Sequence, residues 1–211
     1  MTTTSRHIAC FCETTFDAEI PERADMTEDP ELEQLILDGS FMAVTCPACG
    51  KQLTPEYPFR LSGLKPWGDI VMVPEADRAA YLRGALDYVS GSPGRVVVGF
   101  PELSEKVLMA GLGRDDRVIE IMKYYLLTGS ERAGTEEPAA EVRIIYRGLE
   151  AGRHVFAIMG LREGEVGVAR LADELYARIS ADVERRVQED PFQDFCTPPW
   201  VSLRRMTGST T

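Results

Sequence analysis

Four cysteines in two close pairs carry the plainest chemistry in the sequence. Cys46-Pro47-Ala48-Cys49-Gly50 sets two thiols at C-x-x-C spacing, with a glycine directly after the second. Backbone N–H groups of such a turn point at the sulfurs, and glycine lets the chain leave it without a Cβ clash. One C-x-x-C makes half of a structural zinc site, which closes with four ligands in a tetrahedron. Cys10-Phe11-Cys12 supplies the other half, so Cys10, Cys12, Cys46 and Cys49 are the expected ligands of one Zn2+. Cys196 is left over and reads as a buried apolar thiol.

Other reactive residue types offer less. His7 and His154 are the only histidines, and no flanking motif sets either beside an activated serine or cysteine. His154 reads as an ordinary hairpin position. Asp115, Asp116 and Glu120 could gather a divalent cation, but the plainer reading is a helix N-cap followed by an exposed helical face. No G-x-x-x-x-G-K-[ST] phosphate loop is present. Tyr57, Pro58, Phe59, Pro66 and Trp67 form either a docking patch beside the cysteines or a cap on a small core.

The elements that must position the cysteines follow from patterning. Thr14–Ile20 alternates as a half-buried strand that Pro21 should end. Asp29 as N-cap, Pro30 at the first helical position and Gly39 as stop frame a short amphipathic helix carrying Leu32, Leu35 and Ile36. Phe41–Thr45 should lead as a strand into the C-x-x-C turn, with further strands around Gln52–Leu61 and Asp69–Val73. Beyond these come a helix over Glu75–Val89 and a short strand at Arg95–Gly99. Helices near Leu103–Ala110 and over Asp115–Leu127 follow, the second with Val118, Ile121, Met122 and Tyr125 on one face. Glu131–Ala140 reads as a linker. A hairpin over Glu141–Leu149 and His154–Leu161 precedes a long helix expected over Val166–Gln188, with Leu171, Leu175, Ile179 and Val183 at four-residue steps. Phe192, Phe195 and Trp200 suggest a tail docked on a core, with Met206–Thr211 frayed.

Charge and hydropathy narrow the function classes. The 211 residues carry a formal charge of -11. Residues 1–75 hold 5 basic and 13 acidic side chains, so the cysteine-bearing region is the most acidic part. A nucleic-acid-binding ribbon would be basic there, and four thiolates around zinc add about two more negative charges. No apolar run approaches the roughly 20 residues of a membrane span. The first residues lack the pattern of a secretory signal, so a cytoplasmic location is the expectation, and there paired cysteines bind metal.

Several stretches together resemble the CpXC domain family: Cys12, the strand to Ile20, Thr27-Glu28-Asp29-Pro30-Glu31-Leu32, Thr45-Cys46-Pro47-Ala48-Cys49-Gly50-Lys51, and Tyr57-Pro58. Gly113–Lys123 is similar to the helix that follows in that family, so the resemblance covers roughly residues 7 to 125. It implies a bacterial or archaeal zinc-binding protein and names no activity. The chain departs from the family in its first knuckle, which is C-x-C where C-x-x-C is common. The usual rubredoxin-like turn is not expected there, which makes His7, three residues before Cys10, a competing ligand.

The expected fold is α+β. A zinc-ribbon-like region with an inserted helix spans 1–75, a helical extension 76–130, a linker 131–140, and a hairpin plus long helix 141–211. The expected function is a structural zinc site in a module that contacts another protein. The alternative is an enzyme or regulator with active groups in the C-terminal half; a nucleic-acid-binding ribbon ranks third because of the charge.

Overall fold

The structure, a computed structural model, describes residues 1–91, 93–131 and 142–207, the side chains of 130, 131 and 207 excepted. It is α+β, and the chain forms two compact units, Met1–Val107 and Leu108–Thr211. From residue 132 onward the expected linker lies outside the described residues, as do Ser92 and residues 208–211.

The first unit is built on a five-stranded mixed sheet in the order β1-β2-β5-β6-β7. β1 (Thr2–Ala9) and β2 (Thr15–Asp25) pair antiparallel from Ala9↔Thr15 to Thr2↔Arg23. β2 runs on parallel to β5 (Phe59–Leu64), which pairs antiparallel with β6 (Gly68–Val73). β6 then pairs parallel with β7 (Arg95–Val98), so this strand joins the sheet of the cysteine-bearing unit. Ile70–Val73 and Val96–Val98 are buried throughout, as near-continuous apolar strands are when both faces are covered. A second, two-stranded sheet pairs β3 (Val44–Thr45) with β4 (Gln52–Leu53).

Pro21 does not end β2 as expected. The β1–β2 register shifts between Thr2↔Arg23 and Thr3↔Pro21, leaving the extra residue Glu22 beside the proline. A bulge is one of the few places where a strand tolerates the missing N–H. β1 itself is a strand that patterning did not suggest, since Thr2–Ala9 offers few apolar residues to alternate.

Between β2 and β3 lies α1 (Leu32–Leu37), which buries Leu32 and Ile36. Asp29 Oδ1 accepts the Glu31 N–H at 3.2 Å just before it, and Gly39, at φ 81°, follows its end. The helix expected over Glu75–Val89 shortens to one 3-10 turn (Glu75–Asp77) and α2 (Arg78–Leu82). Gly84 adopts φ 67° just beyond, and that left-handed residue ends the helix. α3 (Gly99–Gly111) follows β7 and spans the sequence boundary between the units.

In the second unit α4 (Asp116–Glu131) buries Val118, Ile119, Ile121 and Met122. β8 (Arg143–Glu150) and β9 (Arg153–Met159) form the expected hairpin. The expected long helix is corrected. Val166–Ala172 is β10, paired antiparallel with β9, and only Asp173–Ser180 (α5) and Val183–Arg186 (α6) are helical. Leu171 fits both the strand and the four-residue helical step, and pairing with β9 decides for the strand. The tail packs through α7 (Phe192–Cys196), where Phe192, Phe195 and Trp200 are buried, and ends in α8 (Arg204–Thr207).

Candidate metal centre

The two cysteine pairs sit on the turns of two hairpins. Cys10 and Cys12 lie in the β1–β2 turn, Cys46 and Cys49 in the β3–β4 turn. Each turn is closed in the same way. The N–H of Cys10 donates to Thr14 O at 2.9 Å, and that of Cys46 to Lys51 O at 2.9 Å. The first cysteine's carbonyl also accepts within its own turn, from the Glu13 N–H and from the Gly50 N–H, each at 2.9 Å. Glu13, at φ 66°, holds the left-handed position that Gly50 holds at φ 70°. The C-x-C turn is thus the C-x-x-C turn shortened by one residue between its cysteines.

The four sulfurs meet. Cys10 Sγ lies 3.7 Å from Cys49 Sγ, and Cys12 Sγ lies 3.7 Å from Cys46 Sγ. All four ligand atoms fall within 4.8 Å of one another. A tetrahedral cation with M–S bonds of about 2.3 Å separates its sulfurs by about 3.8 Å, so the residues fit a four-thiolate metal site. Cys10 and Cys46 are buried in a cluster with Ile8, Ile20 and Leu53, against which Phe16, Ala18, Val44 and Tyr57 pack. Cys12 and Cys49 are exposed. An inner and an outer ligand from each turn is what two turns closing over one ion provide.

Electrostatics at the cluster favours a cation. The Thr14 hydroxyl and backbone N–H bond to the Cys12 sulfur, with further bonds from Cys10 and Cys49, and hold that thiol down at about 6. At Cys10 the Cys12 backbone N–H favours the thiolate. Burial and the Cys12, Cys46 and Cys49 sulfurs outweigh it and push that thiol up to about 12. A divalent cation among the sulfurs would offset the penalty at Cys10 and displace its proton.

The other sequence candidates lie elsewhere. His7 is exposed on β1, its Nδ1 2.9 Å from Asp17 Oδ1, and it does not join the sulfurs. Asp115 is held by Arg117, Asp116 is buried, and Glu120 is buried against Lys123 while accepting the Leu203 N–H at 2.7 Å. Among the described residues the four cysteines are the one group of three or more histidines, cysteines and carboxylates that can hold a metal ion. Cys196 is buried, its Sγ 3.8 Å from Arg117 O. Phe59 is buried against Phe41, their ring centroids 5.0 Å apart, and Trp67 lies beneath Arg95 and Lys106, so these aromatics cap the core.

Two features escaped sequence reasoning. Phe11, between the first two cysteines, is 84% exposed, with Lys51 Nζ 4.5 Å from its ring centroid. In the second unit His154 is buried completely, its Nδ1 2.9 Å from Tyr146 Oη and its Nε2 2.9 Å from Asp173 Oδ1. Tyr176 stacks on the imidazole at 5.0 Å, and Arg114 reaches Asp173 at 3.3 Å. Burial holds His154 below its ordinary value, against the hydrogen bond it donates to Asp173, and pushes the Tyr146 phenol up to about 12. The β8–β9 hairpin is legible in the sequence, but Asp173 falls within the stretch whose spacing imitates one long helix, which hides this chain of side chains.

Residues 8–123 match the CpXC protein family, a span that holds all four cysteines. The chain belongs to the CpXC family. It is also 21% identical to an uncharacterized protein of Treponema pallidum (strain Nichols), over 94% of this chain and 97% of that protein. No solved structure matches the chain. Among the described residues, no helix is long and apolar enough to cross a membrane.

Proposed function

We propose that this CpXC protein binds one zinc ion through Cys10, Cys12, Cys46 and Cys49, and that the ion is structural. The observation that carries the reading is the pair of 3.7 Å sulfur separations, which match the edge of a zinc–thiolate tetrahedron. Soft thiolates in a tetrahedral set select zinc or iron, and zinc adds no redox chemistry of its own. A four-thiolate shell has no open position for water, so it holds the fold rather than activating a nucleophile.

The clipped unit serves as an interaction or adaptor module for another protein in the cytoplasm. Phe11 supports this reading: an apolar ring held in solvent on a turn that zinc would make rigid is an anchor of the kind that dominates interfaces. The enzyme reading would draw on Tyr146, His154 and Asp173, yet Tyr146 and His154 are buried away from any substrate. The acidic surface weighs against nucleic acid.

The test compares partner capture from the native host by the wild-type chain and by Phe11→Ala. A partner held by the wild type and lost by the variant, at equal thermal midpoints, supports the module. Equal capture by both chains would remove Phe11 as its anchor.

A further inference from the structure

The five-stranded sheet carries a second candidate site, on the β1-β2-β5-β6 part of the sheet. A cleft of about 400 Å³ is lined there by Arg6, Arg23 and Arg60 from three successive strands, with Glu22, Tyr88 and Pro58. A volume of this size suits a small ligand. In a chain with 34 acidic and 23 basic side chains, three arginines lining one cleft call for an account.

Two of the three already have partners. Arg6 Nη2 is 2.7 Å from Glu22 Oε1, and Arg60 Nη1 is 3.2 Å from Asp69 Oδ2 while its Nη2 donates to Ser90 O. Tyr88 donates its hydroxyl hydrogen to Asp77 at 3.0 Å. Arg23 is exposed, and among the described residues no carboxylate pairs with it. It stands directly opposite Arg60 across the parallel β2–β5 pair. Neighbouring strands lie only about 4.8 Å apart, and like charges in facing positions are unfavourable. An anion shared by the two removes that repulsion.

We propose that this cleft binds the phosphate group of a small phosphomonoester. Guanidinium forks match phosphate oxygens two at a time, and groups arriving from neighbouring strands can surround a tetrahedral dianion. A planar carboxylate fills one fork and leaves the other. The remaining volume, walled by Tyr88 and Pro58, takes the ligand's less polar part. One wall is also tied to the metal centre, since the Arg6 guanidinium lies 5.2 Å from the Tyr57 ring centroid and Tyr57 packs on the cluster around Cys10 and Cys46.

The test is calorimetric titration of the full chain with adenosine monophosphate, with adenosine and with citrate, at low and at raised salt. One saturable site for the monophosphate is expected, weakening with salt, with adenosine and citrate binding at least tenfold more weakly. Arg23→Ala should weaken the monophosphate at least tenfold at an unchanged thermal midpoint, because Arg23 is exposed, and Arg23→Lys should restore part of the loss. No saturable binding of the monophosphate would overturn the proposal. Equal binding of adenosine or citrate, or an Arg23→Ala chain that binds as the wild type does, would overturn it equally.

Discussion

Glu13 and Gly50 hold the same left-handed place in two turns of different length, at φ 66° and φ 70°. In each turn the next residue's carbonyl accepts the N–H of the first cysteine. The shorter C-x-C knuckle therefore reproduces the exit geometry of the longer one, but with a side chain where glycine is the easy choice. Left-handed backbone costs a non-glycine residue about 1–2 kcal/mol. Glu13→Gly should thus raise stability by up to about 1 kcal/mol once glycine's greater chain entropy is offset. Gly50→Val, branched at Cβ, should lower it by more than 1 kcal/mol or so. Thermal unfolding of the two variants reads both signs.

Cys46 is buried in the cluster of Ile8, Cys10, Ile20 and Leu53, which joins β1–β2 to β3–β4. Cys46→Ser should lower the thermal midpoint of the first unit substantially and abolish tight zinc binding, since binding free energy is folding free energy in so small a cluster. A chelator should bring the wild type down to the variant's midpoint and leave the variant unmoved. An unchanged midpoint in Cys46→Ser would mean that the site does not hold the fold.

His154 should make the second unit sensitive to acid. Burial holds its folded-state pKa below the ordinary 6.5, so the folded imidazole stays neutral where the unfolded one takes a proton. Its contribution is fully present above the unfolded value and is lost as pH falls below about 6.5. Tyr146, Asp173, Arg114 and Tyr176 surround the ring. Denaturant midpoints measured from pH 8 to 5 should fall for the wild type and stay flatter for His154→Gln, which starts lower.

The Glu56 carboxylate ties three segments of the first unit together. It accepts the N–H groups of Glu75 and Phe100, each at 2.8 Å, at the start of the 3-10 turn and of α3. Glu56→Ala leaves both donors without that acceptor and should cost about 2–4 kcal/mol. Glu56→Gln keeps one acceptor oxygen and should cost about half as much. Urea unfolding of the two variants separates the cases.

What the sequence made legible follows from how local each signal is. The cysteine spacing and Gly50 mark both knuckles, and two turns of that kind needed only to meet. The β8–β9 hairpin and α4 carry strong local patterns, so their positions were plain. β1 was not legible because Thr2–Ala9 has little apolar alternation and is held by pairing with β2. β10 was hidden by Leu171, whose spacing to Leu175 and Ile179 imitates a helix. The Tyr146–His154–Asp173 contacts depend on that same strand and fell with it. Arg23 and Arg60 lie 37 positions apart, and only the β2–β5 register sets them face to face.

Metal analysis of the purified chain tests the central claim most directly. One zinc per chain is expected for the wild type, and none held tightly by Cys46→Ser. A wild-type chain without bound metal, or with iron in place of zinc, would contradict the account.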